Sequence, residues 1–418
     1  MPTVNVTVTC PVHDSFRVQQ VAGMFDLPLD EKVTERFQDD VPGVDENWQI
    51  GLVVGPSGSG KSTVARRAFA VAPGSAGGWY AGAEWPSDCA VIDCFGELSV
   101  RHVVDLFTAV GFGSPPAWVK PYQVLSNGER FRCDLARALA AAFINDCGFG
   151  IADCGLDNKQ SEIRNRQSEI PRVAFDEFTS VVDRNVAKVC SAAIAKGIRR
   201  GSLPCRFVAV TCHYDVAAWL EPDWILDMAT CELTRRRLRR PTIELEIRRC
   251  RLAAWQLFKR HHYLSSSLAR GARCYLTTWD GIPVNFCATV PMFMKKNHRR
   301  FTRIVTLPDY QGIGIGMRAV AAVAKLHRAE GLRINVTSSH PALIRHCCRS
   351  PLWKAVDVRK WGGSAQRTNR RFPKYRNAAG RTVVSFEFLG ERKDIANCVL
   401  NSSNPHSEIR NPQSTRTA

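Results

Sequence analysis

Twice along this chain an apolar run of strand character closes on a glycine-rich turn and gives way to a stretch with helical spacing of apolar residues. The first instance is WQIGLVVG, then GPSGSGKST at 55–63, then TVARRAFAV. The second is FTRIVT, then LPDYQGIGIG at 307–316, then a helix with Met317, Val320, Val323 and Ala324 on one face. Strand, loop and helix in that order place backbone N–H groups at a helix N-terminus, where the peptide dipoles favour an anion. The chain therefore presents two candidate phosphate loops, and the remaining patterning divides around them. A seam is expected at RRRLRRPT, 235–242, where an arginine run, which also reads as a solvated linker, meets proline before the alternating strand IELEI. SEIRNRQSEI at 161–170 and SEIRNPQS at 407–414 are polar and repetitive, so a surface insert at about 157–170 and a tail at 396–418 are expected to be disordered.

The 418 residues suffice for two domains. Charge is distributed unevenly: residues 241–418 carry 31 Lys+Arg against 10 Asp+Glu, whereas residues 1–240 carry 26 against 29. A basic second half points to a polyanionic partner, either nucleic acid or a phosphate-rich cofactor, and says nothing about fold. The 16 cysteines form no CxxC pair, and several, such as Cys212 and Cys287, lie in apolar runs. They are read as small buried hydrophobes in a reducing cytoplasm rather than as zinc ligands or disulfides. MPTVNVTVTC lacks the features of a signal peptide, and no window reaches the roughly 20 apolar residues of a membrane span, so a cytoplasmic protein is expected.

In the first loop, Gly55, Pro56, Ser57, Gly58, Ser59, Gly60, Lys61, Ser62 and Thr63 match GxxxxGK[ST]. Its glycines let successive N–H groups face the phosphates of ATP, Lys61 adds a point charge, and the Ser62 hydroxyl suits Mg²⁺. Further on, RVAFDEF at 172–178 is a buried strand ending in two acids. Asp176 is placed to hold Mg²⁺ and Glu177 to position or deprotonate the attacking water, although two solvated acids at a strand end are the plainer alternative.

LSNGE, with Ser126, Asn127, Gly128 and Glu129, resembles the signature motif of ABC-type ATPases, with Asn127 and Glu129 replacing the usual glycine and glutamine. Asp183 in SVVD is similar to that family's D-loop, and His213 in VAVTCHYD to its switch histidine. This resemblance covers roughly residues 1–235. It implies a P-loop α/β domain that hydrolyses ATP, with ATP sandwiched between the loop of one copy and the signature of another, hence a homodimer. No glutamine lies between Ser62 and Gln123, so the family's Q-loop glutamine is missing, with Asp93 or Glu97 as stand-ins. Phe16, Phe25 and Phe37 are candidates to stack on adenine, each equally readable as core.

No lysine or Mg²⁺-binding hydroxyl follows the second loop, which argues against a second nucleoside triphosphate, and no acid ends a strand about twenty residues on, as a dinucleotide fold requires. Gln311, Gly312, Ile313, Gly314, Ile315 and Gly316, preceded by Leu307, resemble the acyl-CoA loop Q/RxxGxG of GNAT-type acyltransferases. The flanking segments follow that fold's order: IELEI, a helix over 251–263, a hairpin turning at Asp280–Gly281, the loop strand and helix, RINVTSS and VVSFEFL, together an α+β domain over 243–395. The resemblance implies acetyl-CoA or another acyl-CoA as cofactor. Candidates for acyl transfer are Ser338, Ser339, His340, Tyr263, His262 and Glu387, each also readable as structural. HHYLSSS together with RIVTLPDYQGIGIG resembles the Mom-type branch, which modifies DNA adenine. Basic stretches with interleaved aromatics, KKNHRRF at 295–301 and the segments between 359 and 376 with Trp361, Phe372 and Tyr375, suit nucleic acid or equally a solvated face. A different class, the motor of a transporter with a non-catalytic basic appendage, gives the fused transferase no role.

Overall fold

The computed structural model describes residues 3–11, 13–27, 32–43, 46–69, 77–144, 170–235, 238–262, 267–360 and 382–390. The predicted insert at 157–170, apart from Ile170, and the tail at 396–418 lie outside them. In chain order the first elements are β1 (Thr3–Pro11), α1 (Phe16–Phe25), β2 (Lys32–Asp40), β3 (Ile50–Val54), α2 (Lys61–Phe69), β4 (Gly77–Tyr80), α3 (Val100–Ala109) and α4 (Pro115–Trp118). They continue with α5 (Asn127–Ile144), β5 (Arg172–Phe175), α6 (Arg184–Arg199), β6 (Arg206–Thr211), α7 (Ala217–Leu220), β7 (Trp224–Asp227) and β8 (Glu232–Thr234).

Six strands form a sheet in the order β4-β5-β6-β3-β7-β8, and β1 pairs separately with β2. Parallel strands are covered on both faces, which is why β3 reads as the unbroken run IGLVV and is buried at every position. Gly51 has a packing reason: a Cβ there would stand 2.0 Å from the Trp224 ring. Trp224, Trp48 and Phe69 pack on one another at ring-centroid distances of 5.5 to 6.3 Å. On the other face α5 and α6 bury Phe131, Leu135, Leu139, Cys190, Ile194 and Ile198 against Phe175 and Phe207. The C-terminal end of α6 is tied to the start of β3 through Asp223, which accepts from Arg199 Nη2 at 2.6 Å and from the Gln49 and Ile50 amides at 2.7 and 3.0 Å. Parallel strands between helices, with a glycine-rich loop at the end of β3, make an α/β arrangement of the P-loop type.

The later elements are β9 (Glu246–Cys250), α8 (Trp255–Phe258), β10 (Arg273–Trp279), β11 (Ile282–Pro291), β12 (His298–Thr306), α9 (Ile315–Ala329), β13 (Arg333–Ser338), α10 (Pro341–Arg349), β14 (Trp353–Lys360) and β15 (Thr382–Phe388). Their sheet has the order β14-β15-β13-β12-β11-β10-β9 and makes the GNAT-like α+β fold. The β10–β11 turn uses Asp280 and Gly281 at φ 50° and 77°, the left-handed pair that a two-residue hairpin needs. Parallel pairing of β12 with β13 covers only His298–Arg300 against Arg333–Asn335, although β12 runs on to Thr306 and β13 to Ser338.

Several expectations change here. The strand predicted at IELEI starts three residues later, at Glu246. The helix predicted over 251–263 is broken into short turns, because Trp255 and Phe258 anchor on Phe286 at 5.3 and 5.6 Å while Lys259, Arg260 and His261 supply no apolar stripe to continue it. α10 and β14 stand outside the predicted order. Cys287 is buried as expected, but Cys212, Cys231 and Cys348 are exposed. Phe16 and Phe25 are exposed rather than core. Among the described residues, no helix is long and apolar enough to cross a membrane.

By their contacts the residues fall into two compact units, Met1–Ser267 with Leu276–Phe286 and Val305–Gly316, and Leu268–Tyr275 with Cys287–Ile304 and Met317–Ala418. The loop at 307–316 therefore groups with the six-stranded sheet.

Candidate functional site: two phosphate loops in one unit

The first loop leaves β3 at Gly55 and enters α2 at Lys61. Gly58 and Gly60 hold φ 83° and 79°, a conformation that turns successive N–H groups toward one side of the loop and that a side chain would strain. The buried Lys61 ammonium donates to the Pro56 carbonyl oxygen at 2.6 Å, and Ser59 Oγ donates to the same oxygen at 2.9 Å. Ser57 is exposed and Thr63 half-buried beside them. Ser62 Oγ donates to Asp176 Oδ1 at 2.8 Å, so a hydroxyl and a carboxylate from two distant segments meet as a pair of hard oxygen donors, the set that suits Mg²⁺.

Glu177 follows in a left-handed conformation, φ 49°, with its N–H on Asp176 Oδ1 and its Oε2 accepting from Ser180 Oγ at 2.5 Å. His213 lies at the exit of β6, its Nδ1 3.3 Å from Thr179 Oγ1. Burial, then the nearby Arg184 charge, holds its pKa below the usual histidine range. A neutral imidazole is thus the resting form at neutral pH. The motifs of the first loop, Asp176, Glu177 and His213 meet at the C-terminal ends of β3, β5 and β6, where open α/β sheets bind ligands.

The signature segment opens α5 with reciprocal capping. The Ser126 amide and hydroxyl both donate to Glu129 Oε2 at 3.0 Å, and the Glu129 amide reaches Ser126 Oγ at 3.4 Å. This gives Glu129, the replacement for the family's glutamine, a local structural role. Ser126 and Asn127 remain exposed, while Gly128 is half-buried against Arg132. Asp183 caps α6, accepting from the Asn185 and Val186 amides at 2.9 and 3.0 Å. One turn inside α5, Asp134 gathers the Tyr80, Tyr122 and Trp85 donors at 2.9, 2.7 and 2.8 Å. Burial first, and then the Asp134 carboxylate, pushes both tyrosine hydroxyls well above their usual range.

The second loop runs from Leu307 to Gly316 and enters α9 at Ile315. Gly312 and Gly314 hold φ 90° and 99°, and among the described residues the N–H groups of Gly312, Ile313 and Gly314 meet no acceptor. Three free donors at the start of a helix of 15 residues suit the pyrophosphate of coenzyme A. Ile313 and Ile315 point inward, into a cluster with Val189, Ala192, Ala193 and Tyr310.

Sequence reasoning missed how this loop is held. Gln311 Oε1 accepts from the Gly113 amide at 2.8 Å, while its Nε2 donates to the Thr306 carbonyl at 2.9 Å. Lys196 Nζ donates to the Gly312 carbonyl at 2.7 Å. A Cβ on Gly312 would stand 2.8 Å from Gly111 Cα and 2.9 Å from Ala193 Cβ, so the two backbones touch. Arg132, on α5, is 1% exposed, and among the described residues its guanidinium donates no hydrogen bond to a nitrogen or oxygen acceptor and its one ion pair is with Asp309 at 3.8 Å. Only the two unusual glycines of GFGS at 111–114 offered a signal, and nothing marked what they touch.

The acyl-transfer candidates divide. Ser338 is buried and its Oγ accepts from the His340 amide at 2.9 Å; Ser339 and His340 are half-buried at the exit of β13. Tyr263 lies outside the described residues. Glu387 is engaged by Arg333 through two hydrogen bonds of 2.6 and 2.7 Å, which hold its carboxyl below the usual range. Within KKNHRRF, His298 and Arg299 are buried, bonded to Asn335 and Thr289, while Lys295, Lys296, Asn297 and Arg300 face solvent. The basic segment at 361–376 lies outside the described residues.

No family model and no curated protein matches the chain. Solved structures similar to it include the ribosomal-protein-S18-alanine N-acetyltransferase of Escherichia coli, at 15% identity over 36% of this chain and 98% of that one, TM-score 0.27. A GNAT family acetyltransferase from Elizabethkingia anophelis, solved with acetyl-CoA bound, is 12% identical over 34% of this chain and 97% of that one, TM-score 0.27. A dimeric bacterial ABC transporter cassette is 14% identical over 47% of this chain and 88% of that one, TM-score 0.33. The structures similar to this chain thus include both GNAT acetyltransferases and ABC ATPase cassettes.

Proposed function

We propose that the chain hydrolyses ATP as an ABC-type homodimer and uses the state of its ATPase to control an acyl-CoA-dependent transferase whose acceptor is nucleic acid. The carrying observation is that the second loop is anchored on the helices that open with the ATPase motifs, the Gly312 carbonyl on Lys196 of α6 and Asp309 beside the buried Arg132 of α5, with Gln311 held by the Gly113 amide between α3 and α4.

For hydrolysis, the loop amides and Lys61 would cradle the phosphates, and Ser62 with Asp176 would hold Mg²⁺, which neutralises phosphate charge when bound. Ser180 fixes the Glu177 carboxylate, so that Glu177 can take a proton from the attacking water. Thr179 orients His213. The exposed Ser126 and Asn127 would meet the ATP held by the other copy.

For transfer, the free amides of Gly312, Ile313 and Gly314 would grip the pyrophosphate. β12 and β13 part beyond Arg300 and Asn335, which leaves their facing backbone groups available to an extended amide chain. Acyl-CoA would supply a thioester-activated acyl group. His340, with Ser338 fixing its backbone, would take the proton of the acceptor amine, and Ser339 or Tyr263 would return one to the leaving thiolate. The excess of Lys+Arg over residues 241–418 supports a nucleic-acid acceptor.

The test is acyl transfer from labelled acetyl-CoA to DNA by the full-length protein, with and without ATP. Transfer that rises with ATP in the wild type and is lost in Gly314→Glu supports the reading; transfer indifferent to ATP removes the proposed control.

A further inference from the structure

β11 and β12 are joined by residues 292–297, and this tip carries Phe293 and Met294, which are 90% and 89% exposed. Side chains of that size are ordinarily tucked away, and among the described residues no large hydrophobic is more exposed. The tip is nevertheless a built turn. The Met292 amide donates to the His298 carbonyl at 2.8 Å and the Lys295 amide to the Met292 carbonyl at 3.2 Å. Met294 and Asn297 hold φ 58° and 51°, left-handed positions that methionine rarely takes and that the closed turn maintains.

Its root is fixed as well. His298 Nε2 lies 2.7 Å from Asn335 Oδ1, and the buried Arg299 donates to the carbonyl and hydroxyl oxygens of Thr289 at 2.9 and 3.2 Å. Lys295, Lys296 and Arg300 are exposed within seven residues of the two apolar side chains. Two apolar side chains at the end of a rigid ribbon, with cations immediately behind them, match a base step and its flanking phosphates. A lipid surface is bound by a broader apolar face than one turn supplies.

We infer that the β11–β12 hairpin is a wedge for duplex DNA, in which Phe293 and Met294 enter between base pairs from the minor groove while Lys295, Lys296 and Arg300 neutralise the adjacent phosphates. Insertion unstacks one step and kinks the duplex, which exposes base edges that are closed in the regular helix. The inference rests on the nucleic-acid acceptor proposed above and names the element and the mode of contact.

The test uses the full-length protein and duplexes carrying 2-aminopurine at successive positions, whose fluorescence rises on unstacking. The wild type is expected to raise fluorescence at one step. Phe293→Ser with Met294→Ser is expected to abolish that rise and weaken binding about tenfold. Both residues are exposed, so the thermal midpoint should not move. Lys295→Gln with Lys296→Gln is expected to lower the slope of log Kd against log salt by about two. If DNA binds but the serine variant binds and unstacks it like the wild type, the wedge is overturned while the nucleic-acid acceptor stands. If no duplex is bound, both fall. If the serine variant loses binding to phosphatidylserine-containing vesicles and not to DNA, the tip is a membrane contact and the inference is wrong.

Discussion

The Lys196 ammonium donates to the carbonyl oxygen of Gly312 at 2.7 Å. One residue thus joins α6, whose N-cap is the D-loop residue Asp183, to the glycine turn proposed to hold acyl-CoA. A carbonyl pulled toward the ammonium turns the following N–H outward, away from Lys196, which pre-organises the donor for an anion.

Lys196→Met should therefore loosen the second loop. Acetyl-CoA affinity is expected to fall about tenfold, the loss of one charge-assisted hydrogen bond, with ATP affinity unchanged. Isothermal titration of each ligand against the full-length variant checks this. Equal losses for both ligands would indicate general damage to α6 instead.

Arg132 is buried, and among the described residues Asp309, at 3.8 Å, is its one ion-pair partner. Asp309→Ala should leave that guanidinium with no counter-charge and destabilise the protein by about 1–3 kcal/mol, discounted because Asp309 itself is half exposed. Replacing both partners, with Arg132→Met, should recover most of the loss. Urea midpoints of the two single variants and the double variant give the coupling.

Glu177 has the position and the Ser180 support of a proton acceptor for water. Glu177→Gln should lower ATP turnover by about 10²–10³-fold while leaving ATP binding intact. The same variant should accumulate as an ATP-bound dimer, measured by light scattering on an exclusion column. Unchanged turnover would remove Glu177 from the assigned role.

Glu387 is held below the usual carboxylate range by the Arg333 hydrogen bonds. A carboxyl depressed in the folded state contributes stability above its unfolded pKa, and that contribution fades as the pH falls through the folded value. Wild type should therefore lose stability below about pH 4.3 more steeply than Glu387→Gln, while the variant is the less stable of the two at pH 7. Urea midpoints from pH 3 to 7 test both halves.

Much of this was legible in the chain because each motif is local. GPSGSGKST, FDEF and LSNGE carry their own turns, caps and charges, and Ser62 meets Asp176 as their residue types require. The Asp280–Gly281 hairpin was equally plain, since its backbone demands those residues. What escaped is non-local. Gly113 meets Gln311 across 198 positions and Lys196 meets Gly312 across 116, and no periodicity encodes such pairs. KKNHRRF read as one basic surface, yet β12 is covered on both faces at its start, so the adjacent His298 and Arg299 are both buried in hydrogen bonds. Glu387 stood among the acyl-transfer candidates, equally readable as structural, because the strand pattern could not show Arg333 beside it.

The central claim is that two glycine turns in one unit hold two different phosphorylated ligands. Gly314 sits at φ 99°, and a Cβ there would stand 3.6 Å from Lys196 Nζ, so Gly314→Glu would strain the turn and add a carboxylate to the loop whose amides are proposed to hold the pyrophosphate. Titration of acetyl-CoA and of ATP with Mg²⁺ into the full-length wild type and this variant is the most direct measurement. The account predicts that both ligands bind the wild type together, and that the variant loses acetyl-CoA while keeping its ATP affinity. Competition between the two ligands, or full acetyl-CoA affinity in the variant, would contradict it.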